Sequence, residues 1–230
     1  MDATNTWKLF WTSMAGMAAL ALGMTALVFL SAGTIHFWQG WVLIVVFVGA
    51  SLVITLDLLR SDPALLARRL RAGPTAERET SQQIIQGVAQ LTFAALLVVP
   101  GLDCRFGWSQ VPAALVVAGD VLVALGFVVV AWVFKSNSFT SATIEVGEGQ
   151  QVVSSGPYGI VRHPMYVGGL VLLLGMPLAL ASWWALLILP PIYGAIVWRL
   201  LDEERFLSAN LEGYDAYRAK VRYRLAPLIW

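Results

Sequence analysis

"LFWTSMAGMAALALGMTALVFL", residues 9–30, decides the architecture. It runs twenty-two residues without a charge, whereas the apolar region of a secretory leader runs about 7–15. Lys8 precedes it and Ser31-Ala32-Gly33 follows, as in a leader. The length nevertheless favours a retained helix, because a bilayer core takes about twenty apolar residues per crossing. Blocks of similar length recur at 38–58, 84–102, 111–134, 164–181 and 183–201, making six in all. Of the 230 residues, 58% are hydrophobic and 13% charged. An ordinary soluble domain carries about 25% charge, so the pattern excludes a soluble globular protein. The expected fold is an all-α integral membrane bundle of about six transmembrane helices, one membrane domain over residues 1–230.

Orientation follows from charge. Placing the 59–83 loop in the cytoplasm puts both termini there. Lys8, Arg60, Arg68, Arg69, Arg71, Arg78, Lys135, Arg162, Arg199, Arg205, Arg218, Lys220, Arg222 and Arg224 then share that side, and Arg105 alone of the fifteen basic residues lies opposite. Such a bias is what the positive-inside rule describes. In the 59–83 loop Asp62 caps a short helix with Pro63 in its first turn. "ALLARRLR" reads either as a surface helix, leucines toward lipid and arginines toward phosphates, or as a solvated connector.

Several chemistries lack their apparatus. There is no G-x-G-x-x-G, P-loop, H-E-x-x-H or G-x-S-x-G pattern. His36 and His163 are the only histidines and Cys104 the only cysteine, so no metal site is expected. Cys104 reads as a loop residue and His36 as part of an outer turn. A net charge of +1 says little about partners, and no nucleic acid is expected among them. Asp120, inside the fourth segment, is a functional candidate because intramembrane acids are expensive. A pairing with a neighbouring helix or a reach to the interface is the favoured explanation.

Polar residues gather in the last third. Segment five opens at Pro164 and carries Gly168, Gly169, Gly175 and Pro177; segment six holds Pro190-Pro191 in its middle. A turn at Ser182-Trp183 makes the two a hairpin, returning Arg199 and Glu203 to the level of His163. Arg199 and Glu203 stand four apart, on one helix face. That spacing fits an exposed ion pair as well as a site. In "SSGPYGIVRHPMYVGG", 154–169, proline disfavours the α region for the residue before it, so Gly156 and His163 are expected to be extended. Arg162 is expected to reach lipid headgroups, and Tyr158 and Tyr166 are placed to stack on a flat base.

"GPYGIVRHPMYVGG", "WRLLDEERF" and "GYDAYRAKVRYRLAPLIW" together resemble the C-terminal signature of the isoprenylcysteine carboxyl methyltransferase family, related to membrane phospholipid methyltransferases. The likeness covers residues 136–230 and leaves 1–135 as scaffold helices. It implies a bacterial member in the inner membrane, binding S-adenosylmethionine in a cytosolic pocket. That pocket would be formed by the 136–166 loop, the last hairpin and the C-terminal tail. The methyl acceptor would be lipophilic, most simply a lipid-borne carboxylate. Thr143, Gln150, Gln151, Val152 and Val153, Tyr158, His163, Pro164, Met165 and Tyr166 match cofactor-contacting positions, with 150–153 strand-like. Arg199 and Glu203 match the catalytic pair beside the acceptor. The stretch before Tyr214 is one residue shorter than the family pattern, so Glu204 is an alternative substrate-binding acid. The implied partners are membrane lipids and a lipophilic or lipid-modified substrate. The alternative is an NADPH-dependent membrane reductase of the sterol-reductase type, which shares the "RHP…Y" loop. A 2′-phosphate calls for basic residues, and 136–161 contains none.

Overall fold

The computed structural model describes residues 3–70, 79–147 and 149–230; Arg71 and Arg78 of the basic loop lie outside them. Among the described residues the α-helices are α1 (Ala3–Ala32), α2 (Trp38–Ser61), α3 (Pro63–Arg69), α4 (Thr80–Phe106), α5 (Ala113–Ser136), α6 (Pro164–Ala179), α7 (Leu189–Asn210) and α8 (Tyr214–Lys220), with 3-10 turns at Gly156–Gly159 and Trp184–Ile188. No strand occurs among them. Five stretches are long and apolar enough to cross a membrane: Thr6–Ala32, Trp38–Ser61, Thr80–Phe106, Ala113–Ser136 and Trp184–Asn210. Large apolar side chains stand exposed along them, among them Leu22, Leu30, Val45, Leu91 and Val128. Water penalises such a surface and lipid does not.

The expected sixth span is the exception. α6 has only 16 residues, about 24 Å of helix against a hydrocarbon core of about 30 Å. Pro164 sets its start, Pro177 sits in its last turn, and Ala181 just beyond takes a left-handed φ of 53°. The helix is held by backbone contact with α5. A Cβ on Gly119 would meet Ala179 N at 2.3 Å, and one on Gly126 would meet Gly168 O at 2.6 Å. From the other side, a Cβ on Gly175 would meet Gly119 O at 2.5 Å. Two glycines on each helix thus let the pair close to backbone distance, as small residues do where lipid offers no hydrophobic drive between helices.

Apolar packing joins the remaining helices. Phe47 of α2 lies edge-on to Phe127 of α5 at 4.9 Å and against Phe93 of α4 at 5.8 Å. Met24, Leu43, Leu96, Leu97, Val123, Met176 and Leu180 fill the same core. At one end a buried acid ties α4 to the α6–α7 turn: Asp103 accepts from Ser109 N at 2.7 Å, Ser109 Oγ at 2.6 Å and Ser182 Oγ at 2.5 Å. Cys104, expected in a loop, lies beside it in the last turn of α4. Pro190 and Pro191 do not interrupt a helix. The 3-10 turn precedes them and they enter the first turn of α7, where their missing N–H groups are not needed.

Asp62 caps α3 as expected, accepting from Leu65 N at 2.9 Å, with Pro63 next. Leu65 and Leu66 are buried. The arginines of α3 do not turn to solvent or phosphates. Arg68 donates to Ser138 O and Arg69 Nη1 to Ser141 O at 2.6 Å. The segment after α5 has carbonyls left over from regular structure, and a guanidinium is the donor long enough to reach them.

Candidate functional site

The N-terminal parts of α4 and α6, the C-terminal part of α7, α3, α8 and the loop that follows α5 surround a cavity of about 360 Å³, within the roughly 300–1,000 Å³ of small-molecule sites. Thr143, Gln150, Gln151, Val152, Val153, Tyr158, His163, Pro164, Met165, Tyr166, Arg199 and Glu203 all line it. Glu204 does not.

The two neighbouring acids are separated by the turn of α7. Glu203 accepts from Tyr166 Oη at 2.7 Å at the cavity wall. Glu204, 4% exposed, faces away into a cationic cluster. Its Oε1 lies 2.8 Å from Arg162 Nε and 3.2 Å from His163 Nε2, and its Oε2 accepts from Arg224 Nε at 2.9 Å. Arg162 therefore does not reach headgroups; it is 8% exposed, and its charge is neutralised inside the protein. The backbone follows the same path, Arg162 N donating to Tyr223 O at 2.9 Å and His163 N to Arg224 O at 3.0 Å. One carboxylate thus fastens the tail across the entry to α6.

The loop before α6 also departs from expectation. Gly156 is not extended. It takes φ +57°, and a Cβ there would meet Ser136 Oγ at 2.7 Å. The restriction before proline acts largely through Cβ, so glycine escapes it on the left-handed side. Residues 150–153 are not paired as a strand. The N–H groups of Gln151, Val152 and Val153 meet no acceptor among the described residues, which leaves a peptide edge open along the cavity.

Arg199 is oriented by groups that the sequence did not single out. Its Nη1 donates to Gln82 Oε1 at 2.8 Å and its Nη2 to Ala142 O at 2.7 Å. Gln82, 3% exposed on α4, donates onward to Asp202 Oδ2 at 2.9 Å. Arg69 also lines the cavity, its guanidinium 5.3 Å over the Phe134 ring. Burial holds its pKa below the usual range, and Arg199 pushes the same way. Both were hidden in sequence because α3 and α4 lie far from the motif-bearing third. Tyr158 is pushed up to about 12 chiefly by burial. Tyr214, also in the lining, has a buried hydroxyl with no partner among the described residues. Asp120 lies away from the cavity on α5, 9% exposed, with Oδ1 likewise unpartnered there. His36 is exposed in the α1–α2 turn, and no group of metal-ligating side chains occurs among the described residues.

Fold and lining together define a helical membrane protein with a ligand-sized cavity, part polar and part apolar, at one end of its bundle. Residues 114–212, from α5 to just past α7, match the model of the phospholipid methyltransferase family and form a domain of that family, the family of isoprenylcysteine carboxyl methyltransferase-like membrane methyltransferases. The match supports a membrane methyltransferase. The chain is also similar to the Delta(14)-sterol reductase of Mus musculus, 31% identical over 96 residues. That likeness spans 38% of this chain and 22% of the reductase. Arg69, Gln82, Tyr214 and Arg224 all fall outside the family match.

Proposed function

We propose that the protein is an S-adenosylmethionine-dependent methyltransferase acting on a lipophilic acceptor, with its cavity on the cytoplasmic side of a bacterial inner membrane. The observation that carries this is convergence. The open peptide edge of 150–153, the buried Tyr214 hydroxyl, the Glu203 carboxylate and the Arg199 guanidinium line one cavity, most of it within the family-matched stretch. These groups fit the donor's chemistry. A peptide edge suits a nucleobase or ribose, a tyrosine hydroxyl suits a polar rim atom, and a carboxylate suits a cationic centre.

When bound, S-adenosylmethionine supplies a methyl group already activated by its sulfonium sulfur. The chain's residues then position and screen. Arg199, fixed at both ends by Gln82 and the Ala142 carbonyl, presents a planar fork to an anionic acceptor. A carboxylate acceptor is ionised at neutral pH and needs no base. Tyr166 holds Glu203 in place by its hydroxyl, so the negative charge faces the cavity without a mobile side chain. Ile85 and Ala89 of α4 and Ala195 and Ile196 of α7 give the lining an apolar side, suited to a lipid tail and to excluding water. Rate enhancement then rests on proximity and fixed charge.

The reductase likeness supports a second reading, hydride transfer from NADPH. The loop 136–161 offers no basic residue for a 2′-phosphate. Thermal melting of the purified protein with S-adenosylhomocysteine or NADPH separates the two. Stabilisation by S-adenosylhomocysteine alone is expected; stabilisation by NADPH alone overturns the methyltransferase reading.

A further inference from the structure

The loop that follows α5 is the wall of the cavity with the fewest anchors of its own. Every residue from Phe139 to Glu145 lines the cavity, yet none from Asn137 to Gly147 falls among the buried residues. Among the described residues, no backbone-to-backbone hydrogen bond joins 138–146 to the rest of the chain. Its local turns close on themselves: Phe139 N donates to Asn137 Oδ1 at 2.9 Å, and Ser141 Oγ to Glu145 Oε1 at 2.8 Å. Guanidinium groups tie it to the bundle. Arg68 donates to Ser138 O, Arg69 Nη1 to Ser141 O at 2.6 Å and Arg199 Nη2 to Ala142 O at 2.7 Å. Two of these three ties come from α3, which is itself firmly seated. Asp62 caps it, and Leu65 and Leu66 pack into a buried cluster with Leu58 and Phe134. Glu145 and Glu203 line the same cavity, and Glu203 favours the charge on Arg69, so the protein itself supplies negative charge near these guanidiniums.

We propose that α3 is the clasp of a lid on the cavity: Arg68 and Arg69 are positioning residues that hold 138–145 closed, and their release lets ligand in and out. A ligand-sized cavity needs an entrance, and the segment with the fewest buried contacts is the one that opens most readily. Hydrogen bonds from a cation are the stronger kind, so two of them on carbonyls three residues apart fix the strip without burying it. Both arginines lie outside the family-matched residues. The clasp is thus supplied by a part of the chain that the family match does not cover. It goes beyond the methyltransferase reading and rests on it only for the ligand used to time the lid.

The test uses the full chain in phosphatidylcholine nanodiscs. Glutamate-specific proteolysis reads the lid at Glu145, which is exposed in the loop, and a reference site at Glu212, exposed beyond α7. Native-state cleavage tracks the population of the open form. Arg68→Met with Arg69→Met is expected to speed cleavage after Glu145 by about tenfold or more and to leave cleavage after Glu212 within about twofold. Stopped-flow binding of S-adenosylhomocysteine should then show association and release both faster, by about severalfold. A brace that merely shapes the site would speed release and not association. Unchanged cleavage after Glu145 overturns the clasp. Faster cleavage there with association no faster overturns the lid. Should the methionine variant be cut faster at both sites, Arg68→Lys with Arg69→Lys decides, since lysine keeps the charge and loses the planar fork. A smaller rise confined to Glu145 supports the clasp, and no rise overturns it. If S-adenosylhomocysteine does not bind the wild-type protein, the donor reading fails on its own, and cleavage after Glu145 still decides the clasp.

Discussion

Replacing Glu204 by Gln should damage the fold, and replacing Glu203 should damage the chemistry. Glu204 is 4% exposed and meets Arg162 at 2.8 Å, Arg224 at 2.9 Å and His163 at 3.2 Å. With charge centres about 4 Å apart and an effective dielectric near 20, each guanidinium is attracted by about 4 kcal/mol before desolvation. The Arg224 side chain is 26% exposed, so solvent screens part of its share. Arg162, 7% exposed at its side chain, is not so relieved. An amide at this position keeps one acceptor and turns a donor toward a cation, leaving Arg162 buried with its charge uncompensated. Breaking such a pair from one side costs about 3–5 kcal/mol. In a chain of this size that lowers the melting temperature by about 6–20 °C. Glu203→Gln keeps an acceptor for Tyr166 and should melt within a few degrees of wild type, while turnover falls by at least tenfold. Melting curves in one detergent, with labelled-methyl transfer into lipid extracts, read both effects. The reasoning fails if Glu204→Gln melts like wild type and Glu203→Gln carries the loss.

Three further outcomes are expected. Tyr214→Phe removes a buried hydroxyl without a protein partner, so stability should be unchanged or rise by up to about 1 kcal/mol, while calorimetry shows S-adenosylhomocysteine binding weakened severalfold; tightened binding would refute the placement. Gly126→Val puts a side chain where a Cβ already meets Gly168 O at 2.6 Å. It should destabilise by about 1–3 kcal/mol or more, seen as a lower melting temperature and faster proteolysis, whereas Gly16→Val, with no atom within 4 Å of its Cβ position, should do neither. Burial raises the Tyr158 pKa to about 12 and those of Tyr214 and Tyr217 in the same direction. The folded state therefore holds these protons more tightly than the unfolded one. Their contribution is complete below about pH 10 and is lost as pH climbs through 12. Stability against pH should fall across that window, and a flat profile would contradict it.

Sequence alone determined the membrane setting, because block length and missing charge are local and additive along the chain. It also located the charged end of the bundle and the α3 cap, since Asp62 and Pro63 act within one turn. The resemblance in 136–230 also picked out a dozen residues that line the cavity, from Thr143 to Glu203. What it left open depended on which way a helix turns and what meets it there. Glu203 and Glu204 are adjacent in sequence, but about 100° of helical rotation sends one to the cavity and the other to a cationic cluster. Arg162 was expected at the lipid surface because that is where an unpaired arginine goes; its partners stand 42 and 61 residues further on at Glu204 and Tyr223. Gln82 and Arg69 carry no motif at all. They gained their places only when α4 packed against the final hairpin and α3 against α1 and α2. The seating of α6 likewise arises from its glycine contact with α5, a fit between two backbones that neither segment specifies by itself.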